Sequence, residues 1–141
     1  MLTFRLGKSS VRDLWIKLIH SECSYKHMVE EIDAPYAQAS ACLFMHLMLE
    51  LLLKLVPTLQ GNYFKRTCRI TELLKDADGV LSYSSELLMI APIITSWSTA
   101  ARYDADFEYN EATLKTAEIN YYKLKEQLIA KFPILLEEEV K

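Results

Sequence analysis

Glycine and proline are scarce in this chain, at three and four residues out of 141. A sandwich or barrel with many hairpins needs more turn-formers than that, and a Gly-rich phosphate loop needs more glycine. An all-α chain is what remains, with the glycines expected to mark where helices stop. Cysteine is sparse too. Cys23, Cys42 and Cys68 are odd in number, with no CxxC and no Cys/His pair at zinc-ligand spacing. They read as reduced, mostly buried thiols of a cytoplasmic protein. The opening MLTFRLGKSS lacks the long apolar core of a signal peptide.

What is present suits one domain over residues 1–141. The chain is 51% hydrophobic and 25% charged, enough to build a core and unlike a disordered tail. Its net charge of −3 argues against a general nucleic-acid coat. The charge is uneven, however. Residues 1–70 hold nine Lys/Arg against six Asp/Glu (+3), and residues 71–141 hold seven against thirteen (−6). That asymmetry fits either ordinary solvated surface or a local anion site on an acidic protein.

Apolar spacing places the helices. Residues 1–8 read as an arm, with Ser9 or Ser10 capping a first helix over about 10–32. Val11, Leu14, Trp15, Leu18, Ile19, Val29 and Ile32 form its inner face. Pro35 opens a second helix to about Val56, closed by Pro57 and Gly61. A third spans roughly 67–76 and stops before Asp78-Gly79. A fourth covers about 83–101, where Pro92 should bend or split it. Asn110 caps the last, whose seam is Leu114, Ala117, Tyr121, Leu124 and Leu128. Pro133 ends it, and 133–141 is a tail that frays or docks. The expected fold is an all-α, up-and-down antiparallel bundle of about five helices.

The second helix is apolar enough to need a membrane test. Its run SACLFMHLMLELLLKLV falls short of a usual span and carries His46, Glu50 and Lys54, so no membrane is expected. Such a helix belongs at the centre of a bundle or at a subunit interface. Its three polar residues are spaced i, i+4, i+8 on one face. They form either the one solvated or interface face, or a site in which His46 is a general base or a ligand.

Two enzyme classes find no support. Di-metal carboxylate bundles need Glu-x-x-His, which is absent, as is HExxH. No GxSxG elbow marks a nucleophile. Two further clusters are candidates for anion binding. Lys65, Arg66 and Arg69 stand before the third helix, where free backbone N–H groups favour phosphate. The alternative is a solubilising loop. Arg102, Tyr103 and Asp104 stand at the end of the fourth helix, where the arginine serves the helix dipole or holds a partner's phosphate. Phe107 and Tyr109 add a possible stacking surface.

These segments line up with one known pattern. HLMLELLLKLV resembles the Q-x-x-x-E-K-x-L-K-x-L of the HEPN family. Glu50, Leu53 and Lys54 match, with His46 in place of Gln and Leu51 in place of Lys. TCRITELL resembles T-H-D-L-x-x-L-L through Thr67, Leu73 and Leu74, with Ile70 for Leu, and Cys68 and Arg69 replacing His-Asp. The segment from Ala101 resembles the family's A-R-Y-P and its Ala-spaced last helix. Ala101, Arg102, Tyr103 and Ala117 match, and Asp104 stands where Pro is frequent. The resemblance covers residues 10–132.

The resemblance implies a five-helix bundle that dimerises, with the second and fourth helices as candidate interfaces. It also implies a nucleotide or RNA ligand and a nucleotidyltransferase partner in a prokaryotic two-part or toxin–antitoxin-like system. Catalytic HEPN members are metal-independent ribonucleases in which four to six residues separate the Arg from a following His. Here those positions hold Phe107, Glu108 and Tyr109. Glu108 is a weak base at neutral pH, with an ordinary pKa of about 4.3. The expectation is therefore a non-catalytic or weakened binding module using Arg102, Tyr103, Asp104, Lys65, Arg66 and Arg69. The alternatives are a ribonuclease with Glu108 or His46 as substitute base, and a purely structural dimer. Neither metal nor cofactor is expected.

Overall fold

Apolar residues three and four apart do form helices along this chain. The computed structural model describes residues 2–99 and 107–140, with side chains described for 11–99 and 107–137. Among the described residues there are six helices and no strand. They are α1 (Leu2–Glu30), α2 (Pro35–Leu59), α3 (Ile70–Ala77), α4 (Ser85–Ser96), α5 (Glu111–Lys131) and α6 (Ile134–Val140). The sixth is the C-terminal tail. Leu135 is fully buried and α6 packs on α1 and α5, so the tail docks.

Helix α1 begins earlier than expected. The segment read as an arm is helical from Leu2, which places Gly7, Ser9 and Ser10 inside α1 rather than before it. One interior glycine costs only about 1 kcal/mol, too little to stop a long helix. Val11, Leu14, Trp15, Leu18 and Tyr25 turn inward. The other two glycines do end helices. At Gly61 (φ 81°) the N–H donates to the Thr58 carbonyl at 3.1 Å, and Asn62 N–H donates to Pro57 at 2.8 Å. This paired closure needs a left-handed residue. Gly79 (φ 89°) sits in the turn after α3, where Val80 N–H reaches back to Ala77 at 3.0 Å.

Helix α2 is the centre of the structure, touching α1, α3, α4 and α5. It runs past Val56 to Leu59 with Pro57 inside its last turn. By length and composition Pro35–Leu59 could cross a membrane, so the shortness argued from its apolar run does not hold. Its burial is what matters. Cys42, Met45, Met48, Leu49, Leu52, Leu53, Leu55 and Val56 all lie within the chain's own core. The apolar face that would meet lipid or a second subunit is already covered.

Helix α4 is different. It is one helix through Pro92 and ends at Ser96 rather than near 101. Ser84 caps it, accepting from Leu87 N–H at 3.2 Å and donating to Asn120 of α5 at 2.9 Å. Only Leu87, Ala91 and Ile94 are buried. Leu88, Met89, Pro92 and Ile93 face outward, with Met89 77% exposed. Of the two helices expected to offer an interface, α4 alone keeps an open apolar face. In α5 the whole expected seam is buried and Asn110 caps as anticipated, accepting from Thr113 N–H at 3.0 Å.

Candidate functional site

The stripe on α2 lies beneath residues 62–69, the link to α3. His46 is buried, and its Nε2–H donates to the Cys68 carbonyl at 3.0 Å. Glu50 stands 3.7 Å from the same nitrogen and accepts from Lys54 Nζ at 2.9 Å. Lys54 in turn lies 5.1 Å from the centre of the Phe64 ring. The stripe is therefore neither a solvated face nor a subunit interface. It grips the link from below, and each charged group is paired, as burial requires. With its Nε2 engaged and its ring enclosed, His46 is not placed to take a proton from a substrate.

The outer side of the link carries the expected cations. Lys65 and Arg69 are 59% and 72% exposed, with Lys65 3.3 Å from Asp76 and Arg69 4.0 Å from Glu72. Arg66 is exposed and makes no ion pair among the described residues. Helix α3 starts at Ile70, not at 67, so Arg69 precedes it. The first helical N–H, at Ile70, is taken by Thr95 Oγ1 of α4 at 2.9 Å. Glu72 occupies the first turn. The Ile70 N–H is thus not free to meet an anion, and Glu72 adds a negative charge at this helix end.

The same link meets the end of α4, where Ser98 Oγ lies 4.0 Å from Cys68 Sγ. The structure thus brings His46, Glu50, Lys54 and the Lys65–Arg69 segment together. Arg102, Tyr103 and Asp104 lie outside the described residues. Glu108 is described and exposed. Tyr63, which composition and charge do not single out, is 60% exposed beside these cations. Its signal was an aromatic interleaved with basic residues in NYFKRTCR.

A second polar cluster joins α1 to α5. Glu22 accepts from Tyr121 Oη at 2.6 Å and Lys125 Nζ at 2.8 Å, with Lys26 at 3.4 Å. Burial alone would raise the carboxyl pKa. The Lys125 and Tyr121 hydrogen bonds, together with the charges of Lys125 and Lys26, outweigh it and hold Glu22 below its ordinary value. Burial, then the neighbouring carboxylates Glu22 and Glu118, push the Tyr121 and Tyr25 hydroxyls up, so both are donors. Lys125 also lies 5.6 Å from the Trp15 ring centre, while Trp15 Nε1 has no hydrogen-bond partner among the described residues. This cluster is enclosed and holds helices together.

The thiols correct an expectation. Cys42 alone is buried, its pKa pushed up to about 12 by desolvation, while Cys23 and Cys68 are exposed. No group of three His, Cys, Asp or Glu side chains among the described residues is arranged to hold a metal ion. A hollow of about 410 Å³ lined by Asp78, Ser82, Tyr83 and Lys131 contains none of the expected site residues. No family model, curated protein or solved structure matches the chain.

Proposed function

We propose that this chain is a HEPN-like antiparallel helical module that binds the phosphates of RNA or a nucleotide and works as a homodimer beside a nucleotidyltransferase-type partner. The observation that carries the reading is the exposed Lys65, Arg66 and Arg69 on a segment pinned from beneath by His46 and Lys54. A pinned segment loses little further freedom on binding, so its charges act with little ordering cost. Arg102 and Tyr103 follow α4 in sequence and supply the family's matching arginine. The reading is of binding rather than cleavage, because positions 107–109 hold no histidine and His46 is enclosed.

Neutralising Lys65, Arg66 and Arg69 together to Gln is expected to weaken binding of a labelled RNA at least tenfold at 100 mM salt. The slope of log affinity against log salt should fall by about 2, for three lost contacts to a single strand. Unchanged affinity and slope would overturn the reading. Cleavage of RNA under chelator, abolished by Arg102→Ala, would establish a ribonuclease in its place.

The dimer is assigned to α4. Leu88, Met89, Pro92 and Ile93 form an exposed apolar face, unpartnered among the described residues, on a helix whose other side is in the core. Met89→Asp combined with Ile93→Asp is expected to turn a dimer into a monomer by light scattering after size exclusion. A wild-type monomer at 100 μM sinks the assignment.

A further inference from the structure

We infer that Tyr63 is a stacking platform for one unpaired base, which makes the 62–69 segment selective for single-stranded nucleic acid; this rests on the phosphate-binding reading above. Tyr63 is 60% exposed and makes no hydrogen bond or ring contact among the described residues. The residue beside it behaves oppositely. Phe64 is packed against the core cluster and lies over Lys54. One aromatic is thus spent on anchoring the link and the other is presented to solvent.

The platform is held in place at both ends. Asn62 N–H is bonded to Pro57 at 2.8 Å, immediately before the tyrosine. Further on, Thr67 Oγ1 accepts from Arg69 N–H at 3.1 Å, and the Cys68 carbonyl accepts from His46. A tyrosine loses few rotamers on stacking, and a fixed backbone loses none. At most about 10 Å of chain separates Tyr63 from Arg66. A base on the ring and a phosphate beside it are therefore within reach of the two side chains together.

Charge favours the same ligand. Asp76 and Glu72 partly offset the exposed Lys65 and Arg69, and Arg66 is the cation of the segment without an ion pair among the described residues. Its planar fork suits a phosphate bidentately. So few net charges hold a duplex weakly, because duplex affinity scales with the number of phosphates neutralised. Stacking adds affinity only where a base face is free, which a duplex conceals.

The test measures fluorescence anisotropy with an unstructured RNA oligonucleotide, its DNA counterpart, and the RNA duplex of the same sequence. Wild-type protein is expected to bind either single strand at least tenfold more tightly than the duplex. Tyr63→Ala should weaken single-strand binding about tenfold while leaving duplex binding and the salt slope unchanged. Tyr63→Phe, which keeps the π-face, should restore it. Arg66→Gln should weaken all three ligands and lower the slope. If Tyr63→Ala binds single strands like wild type while Arg66→Gln does not, the stacking inference fails and the phosphate reading stands. If neither substitution changes anything, both fail.

Discussion

Replacing Glu22 with alanine is expected to destabilise the protein by about 3–5 kcal/mol, read from urea or thermal unfolding. The side chain is 9% exposed and accepts from Tyr121 and Lys125 across the α1–α5 contact. Its removal leaves the Lys125 ammonium, 15% exposed, without the carboxylate that neutralises it. The Tyr121 hydroxyl, fully buried, also loses its acceptor. Both costs arise from what remains unpaired, so Glu22→Ala with Lys125→Met should be less damaging than the single change. Equal or greater damage in the double variant would show that the pair does not act as a unit.

The same carboxylate gives the fold an acid limit. Its folded pKa lies below the ordinary glutamate value because the hydrogen bonds from Lys125 and Tyr121 and the charges of Lys125 and Lys26 together outweigh burial. Such a group contributes stability that is fully present above the unfolded pKa, about 4.3. That contribution is lost as pH falls through the lower folded value. Wild-type stability should therefore drop below about pH 4.3 more steeply than that of Glu22→Ala. Parallel acid limbs would contradict the assignment.

Leu52→Ala in the middle of α2 is expected to cost about 3 kcal/mol and lower Tm by about 10 °C. Leu52 is fully buried within the main core cluster, and α2 touches four other helices. Truncation removes apolar area and leaves a cavity whose walls are pinned by α1, α3, α4 and α5. This result also separates two fates of the same apolar sequence. A lipid-facing leucine would exchange its contacts for acyl chains and leave the melting of the rest nearly unchanged. A loss of a degree or two would overturn the central placement of α2.

The periodic segments were readable residue by residue. Leu114, Ala117, Tyr121, Leu124 and Leu128 were expected as a seam and all are buried, because α5 is long, regular and capped at Asn110. Gly61 and Gly79 were expected as stops and take positive φ where only glycine is comfortable. Gly7 was expected as a stop and is not, since a single interior glycine does not outweigh helical neighbours. Near the site, Lys65, Arg66 and Arg69 were legible as a basic cluster, but Tyr63 was not separated from Phe64. Adjacent aromatics look alike in sequence, and only the packing of Phe64 over Lys54 tells which one is left outside.

Composition and spacing by themselves determined the helical class and most of the inner face of each long helix; on α1, Val29 was expected inside and is exposed, and Ile32 lies beyond the helix end. Composition and spacing do so because three glycines and a 3.6-residue repeat leave no other way to bury the apolar half of the chain. Tertiary structure decided what local spacing does not encode. The stripe His46–Glu50–Lys54 became a clamp on a link, because residue 68 arrives above it from 22 positions away. Glu22 found Tyr121 and Lys125 about a hundred residues downstream, with separations of 99 and 103. The apolar surface of α2 was enclosed while that of α4 was left open. Such outcomes depend on which faces meet, and a helix's own sequence gives its faces but not its neighbours.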